Sequence, residues 1–156
     1  MKKILLFLLA ILTLIFVACG KDKDIREFFD KEKISSEFNI VDENKEYFEF
    51  EDKDENRDVY RIFIYEKMLS VDFKNPKKID SLEEAYTERG SNIIYKDENT
   101  IIVGIFDPET GFGYNIHNFD GSKTTLGIMV AVGSVDELSK NDLLEILKEA
   151  KAFIRK

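Results

Sequence analysis

The stretch that decides the fold is residues 92–133, which read NIIYKDENTIIVGIFDPETGFGYNIHNFDGSKTTLGIMVAVG. Hydrophobic and β-branched runs alternate there with short segments rich in Asp, Asn, Pro and Gly, which is typical of strands joined by tight turns. The pattern predicts four strands, at residues 92–95, 100–107, 112–118 and 123–133. Because the connections are short, we expect neighbouring strands to pair antiparallel as a meander.

Two of these strands carry unbroken apolar runs, at residues 101–106 and 126–132 apart from one glycine in each. A strand with one solvated face alternates polar and apolar residues, whereas a continuous run indicates that both faces are covered. We therefore expect both to be central strands of the sheet. Gly104 and Gly127 lie inside the runs, where they leave room for close packing or for a ligand.

The preceding segment predicts further strands at residues 38–41, 47–50 and 59–65. Their residues alternate with a period of two, which places Tyr60, Ile62 and Ile64 on one face of the third strand. A polar loop at residues 52–58 reverses the chain.

Helices are predicted around these strands from their capping patterns. Asp24 followed by Glu27, and Ser81 followed by Glu84, both have capping-box spacing. The first pattern predicts a short helix that ends near Ser35 and Ser36, and the second a helix that ends at Gly90, a natural residue just after a helix.

The last element is a long amphipathic helix over residues 140–155, capped by Ser139 or Asn141. Apolar residues recur there at intervals of three and four: Leu143, Leu144, Ile146, Leu147, Ala150, Phe153 and Ile154. The element order predicts one α+β domain over residues 25–156, an antiparallel sheet of five to seven strands with helices packed on its faces.

The N-terminus differs from everything that follows it. After Lys2 and Lys3 the chain is apolar up to Ala18 except at Thr13, which is typical of the hydrophobic region of a signal peptide. Residues 16–20 read FVACG, with a small residue before the only cysteine, Cys19. This segment resembles the lipobox of bacterial lipoproteins, although Phe16 stands where Leu is usual.

The lipobox resemblance implies a signal peptide at residues 1–18, cleavage between Ala18 and Cys19, and a covalent lipid on Cys19. Residues 19–24 would then be a tether, since Gly20 is followed only by charged residues up to Asp24. Gly20 in place of Asp favours the outer membrane if the organism has one. An ordinary secretory signal is the alternative, but it would leave an exported protein with one odd thiol.

The order of hairpin, helix after an exposed loop, meander and closing helix resembles the PsbP and DcrB-like fold, which includes many bacterial lipoproteins. The resemblance covers residues 38–156 and is one of element order. The Pro-Gly-Trp segment common in that fold is missing, because the chain has no Trp.

Two features are candidates for site chemistry. Asp52, Asp54, Asn56 and Asp58 fall at positions one, three, five and seven of a calcium loop, but Arg57 replaces the required Gly and Phe63 the closing Glu. A solvated hairpin tip is the simpler interpretation. His117 is the only histidine, and without further His or Cys ligands a strand residue is favoured over a zinc ligand.

Charge and motifs exclude several classes of function. Without residues 1–18 the chain has 21 basic and 31 acidic residues, so its surface repels nucleic-acid phosphates. No nucleophile elbow, phosphate loop or zinc-protease motif is present. We expect a non-enzymatic envelope lipoprotein without a cofactor, held by membrane lipid through Cys19, that binds an envelope protein. A small-ligand or cation-binding lipoprotein is the alternative, and a hydrolase using paired carboxylates ranks third.

The lipobox prediction is tested by Cys19→Ala. The variant is expected to leave the membrane fraction or to remain uncleaved, because the acyl chains that anchor the protein would be absent. Membrane fractionation with detergent extraction measures this. Recovery of the variant in the membrane in its mature form would contradict the prediction.

Overall fold

Seven antiparallel strands build one sheet in the computed structural model, which describes residues 24–54, 56–67, 77–119 and 126–155. The strands are β1 (Phe38–Glu43), β2 (Tyr47–Asp52), β3 (Val59–Lys67), β4 (Asn92–Lys96), β5 (Thr100–Asp107), β6 (Gly111–Asn118) and β7 (Leu126–Ser134). The helices are a 3₁₀ turn (Ile25–Phe28), α1 (Lys31–Glu37), α2 (Lys77–Glu88) and α3 (Lys140–Ala152). This confirms the α+β class, the antiparallel sheet and the C-terminal helix.

The order of strands in the sheet is β1-β2-β3-β7-β6-β5-β4. The predicted meander is confirmed, since β4, β5, β6 and β7 are neighbours in chain order. The sequence did not reveal that β7 also pairs with β3, from Val59 opposite Ser134 to Lys67 opposite Leu126. This pairing joins the N-terminal strands and the meander into a single sheet.

One face of the sheet, called here the covered face, carries the main core beneath α1 and α3. Alternation along β2 and β3 directs Phe48, Phe50, Phe63 and Tyr65 to this face, where all four are fully buried. They stack edge-on or in parallel with Phe29, Phe38 and Phe153 at ring distances of 4.6–5.6 Å. Such aromatic clusters combine a large buried area with favourable ring geometry.

Helix α3 packs on this core through Leu143, Leu147 and Ala150, which are buried, while Lys148 on its other side is exposed. The hydroxyl of Tyr65 donates to the carbonyl of Ala150 at 2.8 Å, which satisfies a buried polar group. The predicted apolar stripe of the last helix therefore faces the sheet.

The residues that the structure describes cover the second face only in part. Helix α2 packs on β4 and β5, where Ile79, Ile101 and Val103 form a small buried cluster joined by Leu82 and Tyr86. Ile62 and Ile64 of β3 and Met129 and Ala131 of β7 point to the same side of the sheet and belong to neither hydrophobic cluster. The expectation that both faces are covered holds for residues 101–104 of β5 but not for Ile105 and Phe106, which are 52% and 61% exposed. In β7, Met129 and Ala131 are half-buried and Gly133 is exposed.

The N-terminal helix differs from its prediction. Asp24 does cap the first turn by accepting the amide of Arg26 at 3.0 Å, but the helix stops at Phe28. Phe29 is extended, pairs with Ile154 and is buried against Phe48. A second helix then begins after Asp30 and includes the two serines expected to end the first one, because burying Phe29 requires a break in the helix.

Helix α2 begins at Lys77, one turn before the predicted cap at Ser81. The extra turn buries Ile79 against Ile101, which a start at Ser81 would not do. Its end is as predicted. Gly90 has a φ of +79°, and the amides of Gly90 and Ser91 donate to the carbonyls of Thr87 and Tyr86, which is the Schellman arrangement.

Helix α3 has Ser139 as its cap, with the reciprocal contact to Asp142 that defines a capping box. It ends at Ala152, three residues before the predicted end. Phe153 caps the helix and turns into the core, and Ile154 leaves it to pair with Phe29. Among the described residues, no helix is long and apolar enough to cross a membrane.

Both edge strands are irregular. The register of β1 shifts between Ile40 and Asp42, and that of β4 shifts between Ile93 and Tyr95. Val41, at the first irregularity, is 51% exposed. Each edge of the sheet is thus interrupted by a bulge.

Candidate functional site

The part of the second face that α2 leaves uncovered is called here the open face. It consists of the outward positions of β2, β3, β6 and β7 together with Ile105: Tyr47, Glu49, Glu51, Tyr60, Ile62, Ile64, Glu66, Met129, Ala131, Gly133, Gly113 and Asn115. Its centre is apolar and its β2 side is lined with glutamates. None of these described positions carries Lys or Arg, so the face attracts cationic groups.

The two glutamates of β2 accept hydrogen bonds from tyrosine hydroxyls. The hydroxyl of Tyr47 donates to Glu49 at 2.7 Å, and that of Tyr60 donates to Glu51 at 2.6 Å. Burial, together with the hydrogen bond to Glu49, raises the pKa of Tyr47 well above its ordinary value. The hydroxyl therefore stays protonated at neutral pH and remains a donor. The carboxylate oxygens have acceptor capacity left for a partner.

A groove of about 340 Å³ crosses one end of the open face. Four adjacent strands contribute to its outer row, in which Ile105, Gly113, Gly133 and Tyr60 stand opposite one another in register. The two glycines form a floor of bare backbone, and Ile105 and Tyr60 form the walls. Ala131 and Ile62 lie in the next row inward.

The glycines singled out from the sequence are not the ones in this floor. Gly104 faces the core, where a Cβ would lie 2.8 Å from Ile94 Cδ1 and 3.3 Å from the ring of Tyr114. It is a packing glycine. Gly127 is buried at the other end of β7, opposite Glu66. The sequence offers no local signal for Gly113 and Gly133, because only the register of β6 on β7 brings them together.

The predicted calcium-loop residues lie at the tip of the β2–β3 hairpin, but they play different roles there. Asp52 is buried and accepts hydrogen bonds from the backbone amide and guanidinium of Arg61 and, at 3.2 Å, from Arg57. Asp54 accepts the amide of Asn56 at 3.0 Å, as in an ordinary Asx turn. Asp58 is exposed. Within the described ranges, no three His, Cys, Asp or Glu residues are placed to hold a metal ion.

Asp52 is the centre of an ion-pair network between the sheet and α3. Arg61 Nη2 lies 2.9 Å from Asp52, and Arg61 Nη1 also pairs with Glu149. The guanidinium carbon lies 5.6 Å from the ring centres of both Phe38 and Phe63. This charge cluster therefore has a structural role that the spacing of the acids does not indicate.

His117 lies in β6 and is half-buried, as predicted, on the side of the sheet that α2 covers. Its Nε2 is 2.8 Å from the hydroxyl of Tyr86, which Asn115 Nδ2 also approaches at 3.4 Å. Burial lowers the pKa of His117 to about 4, so the ring is neutral at physiological pH. The neutral ring can form a hydrogen bond with Tyr86 in this half-buried position without the cost of removing a charge from water.

Ala18 and Cys19 lie outside the described residues, and the lipidation of Cys19 stays a prediction. The first described segment is attached to the body of the domain. Ile25 is fully buried, and its amide donates to the carbonyl of Lys45 at 3.1 Å in the β1–β2 turn. The end of the sheet that holds this turn is therefore the end nearest the predicted tether.

Comparisons with protein-family models, with curated proteins and with solved structures find no match to this chain. The inferences about function that follow come from the residues and their arrangement.

The role of the ion pair between Asp52 and Arg61 is tested by Asp52→Asn. The change leaves the guanidinium of Arg61 without its main counter-charge, and breaking a buried pair in this way is expected to lower the free energy of unfolding by about 3 kcal/mol. Urea denaturation measures the loss. Asp54→Asn is the matched control, because Asp54 is exposed and Asn also forms Asx turns. Equal stability of the two variants would contradict the role assigned to Asp52.

The burial of His117 predicts a pH dependence. Its folded pKa of about 4 lies below the ordinary value of 6.5, so the unfolded chain takes up the proton first. The contribution of neutral His117 to the free energy of unfolding is fully present above pH 6.5. It falls by about 3 kcal/mol in total as the pH is lowered towards 4. Denaturation curves of the wild type and of His117→Gln between these limits measure it. The wild type should lose stability relative to the variant as the pH falls, and parallel pH profiles would contradict the prediction.

Proposed function

We propose that this protein is an exported, lipid-anchored lipoprotein without catalytic activity, whose open face binds another envelope protein. The observation that carries the proposal is the open face itself. It places four apolar side chains, Ile62, Ile64, Met129 and Ala131, beside three glutamates and outside both hydrophobic clusters. These four side chains are half-buried, and none of the described helices packs over them. Apolar surface rimmed by charge is typical of protein interaction sites.

The anchor is supported by the order of features at the N-terminus. A basic start, an apolar stretch up to Ala18 and the sole cysteine at position 19 fit a lipidated export signal. Gly20 favours delivery to the outer membrane where the organism has one. We also retain the PsbP and DcrB-like fold as a proposal, supported by the order of elements.

A binding role is favoured over catalysis by how the polar groups are engaged. The tyrosine hydroxyls of the open face donate to Glu49 and Glu51, so these pairs are set as a surface of fixed negative charge. The carboxylate Asp52, which a hydrolase or a cation site would need free, is held by two arginines. The partner is expected to present basic and apolar groups to the open face.

The proposal is tested by crosslinking in cells from a photoreactive phenylalanine analogue. Placed at Ile64 of the full tethered chain, it is expected to yield one discrete crosslinked product. Placed at Lys148, which is 75% exposed on α3, it should yield none, since that helix covers the opposite face of the sheet.

Charge reversal gives the matched control. Glu49→Lys with Glu51→Lys should abolish the product from Ile64, because both charges face the partner. Glu84→Lys with Glu88→Lys changes the net charge equally on the exposed side of α2 and should leave it intact. Equal amounts of crosslinked product from positions 64 and 148 would contradict the proposal. So would equal losses of the Ile64 product in the two charge-reversal variants.

A further inference from the structure

The groove at the end of the open face has no structural explanation within the described chain. Gly113 and Gly133 have φ values outside the positive region, so their backbone is open to any residue. A Cβ at Gly133 would meet nothing within 4 Å, and one at Gly113 would meet only the carbonyl of Ile105 at 3.9 Å. Neither turn geometry nor crowding requires glycine at either position.

Glycine in a strand interior has a cost in stability. Each one destabilises the strand relative to alanine, because it loses more backbone freedom on folding. The register continues without a bulge from Phe112 opposite Ser134 to Tyr114 opposite Val132, so these glycines do not mark an irregularity either. The remaining reason for glycine in a strand is close approach by a ligand or another backbone, and no described segment of this chain lies over these glycines.

The walls of the groove indicate which chemical group of the bound molecule would fit there. Ile105 is 52% exposed, which is unusual for a large aliphatic side chain in a sheet and leaves its surface available for contact. Tyr60 stands three strand spacings away, roughly 14 Å, so the floor between the walls is wide enough for a planar ring. An aromatic ring there would lie on bare backbone between an aliphatic and an aromatic wall.

The charged residues around the groove indicate which partner side chains would flank that ring. Glu51 accepts from Tyr60 at the wall of the groove, and Glu49 continues the same row of β2. No Lys or Arg lies at the described positions of the open face. A basic side chain next to the ring would therefore meet two carboxylates and no opposing charge.

From these observations we infer that the groove between Ile105 and Tyr60 receives one aromatic side chain of the partner, flanked by lysine or arginine that pairs with Glu51 and Glu49. The inference rests on the proposed function and specifies its anchor. A buried aromatic residue beside a charge is the usual composition of a binding hot spot.

The absence of tryptophan from the chain makes a direct assay possible. The probe is the blocked peptide Lys-Lys-Trp-Lys-Lys, whose indole fluorescence is free of tryptophan background from the protein. Titrating the folded protein into the peptide is expected to shift its emission and to saturate. The peptide Ser-Ser-Trp-Ser-Ser should bind about tenfold more weakly, because it lacks the charges.

The decisive variant is Gly133→Val, which fills the floor of the groove. A Cβ fits there without contact and valine favours strands, so the variant is expected to fold with unchanged or raised thermal stability. It should weaken binding of the basic peptide at least about tenfold. Asn92→Val places valine at an exposed position of β4, in register with Gly104 and away from the open face, and should not alter binding.

Two outcomes overturn the inference: no saturable binding of the basic peptide up to about millimolar concentration, and equal binding to the wild type and Gly133→Val. Neither would remove the proposed function, which the crosslink from Ile64 tests on its own. Conversely, if the peptide binds but Ile64 gives no crosslinked product, the aromatic site is supported and the docking role of the wider open face is refuted.

Discussion

The pairing of β3 with β7 is the constraint on which the rest of the structure depends. Nothing else joins the N-terminal strands to the meander within the sheet, and the two partners are separated in the chain by α2 and three strands. Their register places Phe63 beside Val130 and Tyr65 beside Ile128, so the aromatic core of one half continues into the aliphatic core of the other. Because this contact is so distant in sequence, its loop-closure entropy must be overcome before the core forms, which favours slow folding.

The network around Asp52 is located where the two layers of the fold meet. Asp52 belongs to β2, Arg61 to β3 and Glu149 to α3, so three elements share one chain of charges. A buried ion pair adds little net stability compared with apolar packing, but it disfavours arrangements in which its partners separate. In this protein it ties the hairpin to the position of the last helix.

The sequence predicted those elements whose signals are local. Turn residues and apolar runs gave the meander, and the spacing of apolar residues gave α3 with its cap at Ser139. The start of α2 was misplaced because a capping-box pattern at Ser81 also fits the interior of a helix, and the burial of Ile79 decides between the two. The coverage of β7 was overestimated, since an apolar run does not show how far a neighbouring helix extends.

The candidate site could not be predicted because it depends on register. Gly113 and Gly133 are twenty residues apart in the chain and become one floor only when β6 and β7 align. Of the acids that cluster in the sequence at residues 52–58, Asp52 pairs with arginines and Asp54 accepts a hydrogen bond from a turn amide.

The bulges in the two edge strands have a consequence for how copies of the protein behave when concentrated. An intact edge strand offers a regular row of amides and carbonyls on which another chain can add a strand, and such addition can continue without limit. The shifts beside Val41 in β1 and beside Ile94 in β4 break that row at both sides of the sheet. Open-ended growth into fibres is therefore disfavoured, and contacts through the faces, which are finite, are left as the route to association.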